Sequence, residues 1–147
     1  MRKVSMMGFL LQMPGLQMIS LDGFLAFVPQ GTAAALQTLA AEVVQGLDDF
    51  RAPLTDAEIA RRRPESLTLR QHELLTTYGY PYVLEQFQFH LTLSGQLTDA
   101  ETIRLRTAAG DHFAGVLPQP FRVEDLCLCA EDQNGRFHLL HRYALSA

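Results

Sequence analysis

An eight-residue run near the middle of the chain alternates strictly between apolar and polar side chains, from Phe87 to Ser94. This period of two is typical of a β-strand, in which successive side chains point to opposite faces. The apolar half is predicted to enter a core and comprises Phe87, Phe89, Leu91 and Leu93. The sequence therefore predicts a strand whose other face carries only polar side chains.

Two of these polar residues, His90 and Thr92, lie two positions apart and are predicted to sit side by side. An imidazole moves a proton near neutral pH, and a hydroxyl donates a hydrogen bond to a phosphate oxygen. The pair suits a phosphoryl group, so His90 and Thr92 are the candidate catalytic residues. The alternative is a half-exposed strand with ordinary polar residues, which the octapeptide alone favours.

The chain is predicted to open and close with β-hairpins. Asp22-Gly23 and Asn134-Gly135 each separate two strand-like segments, and both dipeptides favour tight hairpin turns. The predicted strands are 16–21, 24–28, 121–130 and 136–145.

Four helices are predicted between the hairpins. Apolar residues at helical spacing, from Leu36 to Leu47, indicate an amphipathic helix over 32–48 that packs against a sheet. Capping-box sequences begin three more helices. These begin at Thr55, Thr68 and Thr98 and are predicted to end at Pro64, Gly79 and about Leu117. The fold class is therefore α+β, an antiparallel sheet with helices packed on one face, in a single domain over 1–147.

Composition narrows the partners. The 147 residues are 48% hydrophobic with a net charge of −4, which suits a compact core and argues against binding extended nucleic acid. No apolar run approaches the roughly 20 residues of a membrane span. The N-terminal apolar stretch contains Gln12 and Pro14 and lacks a small-residue cleavage site, unlike a signal peptide. We therefore expect a cytoplasmic protein without a membrane partner.

Cys127 and Cys129 are separated by one residue on a predicted strand, where a disulfide would be strained. Two cysteines without a second pair are weak evidence for zinc. His138 and His141 fall on opposite faces of a regular strand, which counts against a shared metal. We expect buried thiols, no metal ligand and no cofactor.

Four segments occur together in an order that resembles one family. They are FRAPLT at 50–55, RRRP at 61–64, GYPYV at 79–83 and FHLTL at 89–93. The chain resembles the phosphonate-metabolism proteins of the two-histidine phosphoesterase superfamily from about residue 15 to the C-terminus. The resemblance does not place residues 1–14.

The resemblance implies a fold of two similar lobes, each offering a His-x-Thr or His-x-Ser strand to a shared cleft. This chain then corresponds to the C-terminal lobe plus part of the first. The family's two histidines act as general acid and general base on a phosphoester. The implied activity is metal-independent cleavage of a phosphodiester or cyclic phosphodiester, with His90 and Thr92 as catalytic residues. Arg51 and Tyr82, from the family-like segments, are implied to support a small phosphoester or nucleotide.

Only one such motif is present, because no other histidine is followed two residues later by threonine or serine. Acid–base catalysis by one side chain contributes about a hundred- to ten-thousand-fold, so a lone His90 should be a poor catalyst. Three hypotheses follow: an enzyme whose second histidine comes from another copy of the chain, a phosphate-binding module without turnover, or a fragment of a larger enzyme that oligomerises. The first and third predict a homodimer.

Overall fold

The computed structural model describes residues 11–145. This part of the chain divides into two compact units, which we call the helical unit (residues 33–90) and the sheet unit (residues 11–32 and 91–145). The described residues form four α-helices and seven strands, and every strand pair is antiparallel. The predicted α+β class is confirmed, whereas the single domain stays a prediction.

The helical unit contains three α-helices and three 3-10 turns. The helices are α1 (Ala34–Leu47), α2 (Asp56–Arg61) and α3 (Leu69–Tyr78). The turns are Asp48–Phe50, Pro64–Ser66 and Leu84–Gln86. Both capping boxes predicted here are confirmed. The side chains of Thr55 and Thr68 accept a hydrogen bond from the N3 backbone amide, and the backbone amide of each threonine donates to the N3 side chain. Gly79 ends α3 with φ of +76°, a conformation that favours glycine.

The core of the helical unit lies under α1 and α3. Leu36, Leu74 and Leu75 are buried, and α1 packs on the 3-10 turn Leu84–Gln86. The predicted apolar stripe of α1 is only partly core, since Leu47 at its end is 53% exposed. Within this unit α1 packs on a turn, whereas the sequence predicts packing against a sheet.

The sheet unit is built on a three-stranded sheet in the order β2–β3–β4. The strands are β2 (Leu16–Leu21), β3 (Phe24–Pro29) and β4 (Leu91–Thr92). The turn between β2 and β3 has positive φ at both Asp22 (46°) and Gly23 (86°), which confirms the predicted hairpin. From Leu25 to Pro29 every residue of β3 is buried, so this central strand is covered on both faces.

Helix α4 (Asp99–Phe113) packs on one face of this sheet. The rings of Phe27 and Phe113 meet edge to face at 5.1 Å between centroids. The Thr98 capping box is confirmed, but the helix ends earlier than about Leu117. Ala114 leaves the helical conformation and Gly115 has φ of +77°, which stops α4 before the prolines are reached.

Two further strand pairs complete the sheet unit. The first joins β1 (Leu11–Met13) to β5 (Phe121–Val123), and the second joins β6 (Asp125–Glu131) to β7 (Phe137–Ala144). The predicted hairpin around Asn134-Gly135 is confirmed for β6 and β7. The predicted strand 121–130 is wrong over its first three residues, because 121–123 pairs with β1, far away in sequence.

The predicted strand over 87–94 is wrong in length, since only Leu91 and Thr92 pair as β4. Burial alternates as predicted from Phe87 to His90, with half-buried phenylalanines and exposed polar residues. Leu91 departs from the prediction at 42% exposure. Leu91 lies on an edge strand of this sheet, so only one neighbouring strand contributes side chains that can cover it.

The prediction of buried thiols is also wrong. Cys127 and Cys129 are both outside any disulfide, but both are exposed. The reason is that, within residues 11–145, the β6–β7 hairpin is covered on neither face: all residues of β7 and most of β6 are exposed. An apolar residue on a strand becomes buried only when another layer packs over it.

We expect Leu74 to stabilise the helical unit far more than Leu69, although both are leucines of α3. Leu74 is 1% exposed and Leu69 is 80% exposed. Leu74→Ala should lower the free energy of unfolding by about 2–5 kcal/mol, because it leaves a cavity. Leu69→Ala should change it by less than about 0.5 kcal/mol. Urea unfolding measures both, and equal effects would contradict this description of the core.

Candidate functional site

His90 lies at the end of the helical unit with an exposed side chain. Its Nδ1 is 2.8 Å from the carbonyl oxygen of Gln88. A carbonyl oxygen only accepts hydrogen bonds, so Nδ1 must carry the proton that is donated. The neutral ring therefore has its lone pair on Nε2, which makes Nε2 the atom that takes up a proton and gives it back.

The turn that precedes His90 is held by hydrogen bonds from two helices. Arg70 of α3 donates from Nε to Glu85, and from Nη1 to Glu73 at 3.0 Å. The neighbouring Gln71 donates to the side chain of Gln86 at 3.4 Å. From α1, Gln37 donates to the carbonyl oxygen of Leu84 at 3.4 Å. The turn Leu84–Gln86 is thus fixed along its whole length.

The charge of Arg70 acts on the same turn. The hydrogen bond that Arg70 donates to Glu85 lowers the pKa of the Glu85 carboxyl and raises the pKa of Arg70. The ion pair lies next to a residue with unusual backbone geometry. Leu84, which precedes Glu85, has φ of +52°. A non-glycine residue rarely adopts such an angle unless its surroundings hold it there.

Thr92 lies in the sheet unit, where it pairs with Ala26 of β3. Directly paired residues point to the same face, so Thr92 faces away from the side of Phe27 and α4. The prediction that helices cover the apolar face is supported here. On that other face Ala26 is fully buried, whereas Thr92 is exposed.

The segment after Thr92 is fixed to β3. Leu93 donates its amide to the carbonyl oxygen of Leu25 at 2.8 Å. Ser94, predicted as a residue of the polar face, accepts the Leu25 amide at 3.0 Å through its hydroxyl. Ser94 therefore replaces a backbone partner at the end of the sheet.

Arg51 is engaged in holding the helical unit together. Its Nε donates to Asp48 at 2.8 Å and its Nη2 donates to the carbonyl oxygen of Thr77 at 2.8 Å. It also packs on Gly79, where an added Cβ would come within 3.2 Å of Nη1. Arg51 thus caps the C-terminus of α3, and its implied role toward a substrate stays a prediction.

Tyr82 belongs to an exposed cluster that the sequence prediction did not foresee. Its ring contacts that of Tyr80, with 5.7 Å between centroids, and the Arg62 guanidinium carbon lies 4.6 Å from the centre of the Tyr80 ring. Burial alternates from Gly79 to Val83, with both tyrosines exposed. That period of two is present in the sequence and could have indicated the shared side of the two rings.

Of the four residues singled out from the sequence, Arg51, Tyr82 and His90 lie in the helical unit and Thr92 lies in the sheet unit. Their joint action on one ligand stays a prediction. Among residues 11–145, no group of three or more His, Cys, Asp and Glu side chains is arranged to hold a metal ion. Within the same range, none of the helices combines the length and apolar character needed to cross a membrane.

The fold and the site define a mixed α+β protein with one exposed His-x-Thr sequence, of which His90 belongs to the helical unit and Thr92 to the sheet unit. The chain belongs to the family described as protein of unknown function DUF1045, whose model matches residues 3–138.

Two relatives are both named ribose 1,5-bisphosphate phosphokinase PhnN. The protein from Janthinobacterium sp. (strain Marseille) is 40% identical over 116 residues, which cover 76% of this chain. The protein from Laribacter hongkongensis (strain HLHK9) is 35% identical over 116 residues, which cover 79% of this chain. The chain spans 26% of the length of each of these relatives. No solved structure matches it significantly.

We expect the Arg70–Glu85 ion pair to hold the turn before His90. Glu85→Gln should increase amide hydrogen exchange several-fold over residues 84–90, because the charged partner of Arg70 is lost. The pKa of Glu85 is lowered, so its stabilising effect is present at neutral pH and is lost as the pH falls through that value. Exchange measured by mass spectrometry at two pH values tests both statements.

Glu65→Gln is the matched control, since Glu65 occupies the corresponding place in the turn Pro64–Ser66. It should leave exchange over 84–90 unchanged. Equal exchange in the wild type and in Glu85→Gln would show that the ion pair does not fix this segment.

Proposed function

We propose that this chain cleaves a phosphodiester by histidine acid–base chemistry, with His90 as one of two proton-transferring groups. The observation that carries the proposal is the hydrogen bond from His90 Nδ1 to the Gln88 carbonyl oxygen, at 2.8 Å. It selects the tautomer in which Nε2 accepts a proton, on an exposed ring. The resemblance to the two-histidine phosphoesterases supports the same role.

Hydrolysis of a phosphodiester forms one P–O bond from water and breaks one P–O ester bond. The attacking water gives a proton to a base, and the departing ester oxygen takes a proton from an acid. His90 Nε2 performs one of these transfers, and Thr92 donates a hydrogen bond to a non-bridging oxygen. The other transfer needs a second group, which we propose is the His90 of another copy of the chain.

The names of the relatives suggest a substrate but not the reaction. A kinase that binds phosphates with the G-x-x-x-x-G-K-[ST] loop needs a lysine directly after glycine. The single lysine of this chain, Lys3, follows Arg2. We therefore assign the chain a different step from phosphorylation, in phosphonate metabolism. Because the relatives are named for a ribose bisphosphate, a ribose phosphodiester is the first substrate to test.

We expect His90→Ala to lower the rate of phosphodiester hydrolysis by about a hundredfold or more, because a proton-transferring group is lost. Thr92→Val should also lower the rate, by about tenfold, through one lost hydrogen bond to phosphate. The assay is release of phosphate monoester from a cyclic ribose phosphodiester in the presence of a chelator.

His72→Ala is the control, because His72 is another exposed histidine of the helical unit. It should keep the wild-type rate. Full activity of His90→Ala would overturn the proposal. Binding of the diester by the wild type without hydrolysis would instead favour the alternative function, a phosphate-binding module.

We also propose that the chain forms a homodimer through the β6–β7 hairpin. Within the described part of the chain this hairpin is a sheet of two strands only, and all eight residues of β7 are exposed. Several of them are large and apolar, with Phe137 at 73% and Leu140 at 60% exposure. A strand edge with exposed apolar side chains favours pairing with another strand, and a twofold axis lets two identical strands meet.

We expect Leu140→Asp to convert the dimer into a monomer, because it places a charge within the paired hairpins. Ile103→Asp is the control, since Ile103 on α4 is likewise apolar and 70% exposed. Light scattering at micromolar concentration should give a dimer for the wild type and for the control. A monomeric wild type would contradict the proposal.

A further inference from the structure

The surface formed by Arg62, Tyr80 and Tyr82, which we call the tyrosine–arginine surface, has no part in the chemistry assigned to His90. All three residues lie in the helical unit and are exposed. The guanidinium of Arg62 lies over the ring of Tyr80 at 4.6 Å, and the ring of Tyr82 meets that of Tyr80 at an interplanar angle of 70°.

A guanidinium over an aromatic face keeps the direction of its N–H groups. These donors lie in the guanidinium plane and point outward from its edge, and a cation–π contact uses none of them as a conventional hydrogen bond, so they remain for a ligand. Two of them match two oxygens of a phosphate. The phenol groups of the two tyrosines add hydroxyl donors to the same surface.

Three other arginines of this region bind carboxylates, in contrast to Arg62. Arg51 pairs with Asp48, Arg70 pairs with Glu73 and Glu85, and Arg61 lies 4.0 Å from Glu58. Arg62 takes part in none of the ion pairs formed among residues 11–145. Arg63 likewise takes part in none of these pairs, and the contact with Tyr80 distinguishes Arg62 from it. The positive charge of Arg62 is therefore not neutralised by an ion pair within this range, which favours an anionic ligand.

The surface is also fixed before a ligand arrives. Between and beside the two exposed tyrosines, Gly79, Pro81 and Val83 are buried. The buried residues hold the backbone, and the contact between the two rings places both tyrosines on the same side. Binding to an ordered surface loses less conformational entropy than binding to flexible side chains.

We propose that the tyrosine–arginine surface binds a terminal phosphate monoester of the substrate, separate from the diester on which His90 acts. The inference rests on the proposed function in one respect, that the ligand is a phosphoester. It adds that the substrate carries two phosphoryl groups. A diester without a terminal phosphate should then be a poor substrate, through a higher KM.

The test is calorimetric binding of ribose 5-phosphate, which carries a monoester and needs no turnover. The wild type should bind ribose 5-phosphate and not ribose. Arg62→Ala should weaken binding about tenfold or more, as expected for a lost charged hydrogen bond. Arg62→Lys should restore only part of the affinity, because an ammonium keeps the charge and loses the planar donor pair.

Arg61→Ala is the matched control, since it removes the same charge from the adjacent position. It should weaken binding by less than about twofold, as expected for a solvated charge at the rim. Equal losses in Arg61→Ala and Arg62→Ala would overturn the inference, as would a wild type that binds ribose and ribose 5-phosphate equally. If ribose 5-phosphate binding depends on Arg62 while no diester is hydrolysed, the proposed catalysis fails and this inference stands.

Discussion

The pairing of β3 with the strands on its two sides is the constraint on which the sheet unit depends. β3 is buried on both faces, and it holds the hairpin partner β2 on one edge and the short β4 on the other. Only two residues of β4 pair, yet the Leu93 amide and the Ser94 hydroxyl extend the attachment at 2.8 and 3.0 Å. These few hydrogen bonds hold Thr92 at the edge of the sheet.

The helical unit fixes the position of His90 by side-chain hydrogen bonds to the preceding turn. It fixes the turn Leu84–Gln86 through side chains of α1 and α3, and the His90 ring then bonds to the backbone at Gln88. Arginines make two kinds of contact in this unit. Arg51 and Arg70 satisfy carboxylates and a helix end, whereas Arg62 stacks on a ring. Residues of one type, close in sequence, therefore have separate roles, and only the contacts distinguish them.

The sequence predicted those features that depend on neighbouring residues. The capping boxes at Thr55, Thr68 and Thr98, and the turns at Asp22-Gly23 and Asn134-Gly135, arise from local hydrogen bonds and local backbone preferences, and all five are present.

Several predictions that depend on residues distant in sequence were wrong. Whether Leu91 is buried depends on a further strand beyond β4, and whether Cys127 is buried depends on a layer over β6. The pairing of β1 with β5 joins segments more than a hundred residues apart. At the candidate site, the sequence indicated His90 and Tyr82 and also contains the alternation around Tyr80, but the contact of Arg62 with the Tyr80 ring became evident only from the packing.

Cleavage of a phosphodiester through His90 is tested most directly by ³¹P NMR of a cyclic ribose phosphodiester incubated with the purified protein and a chelator. The diester resonance should be replaced by that of a monoester. A diester that persists unchanged, or that reacts only when a divalent cation is restored, would contradict the proposed reaction.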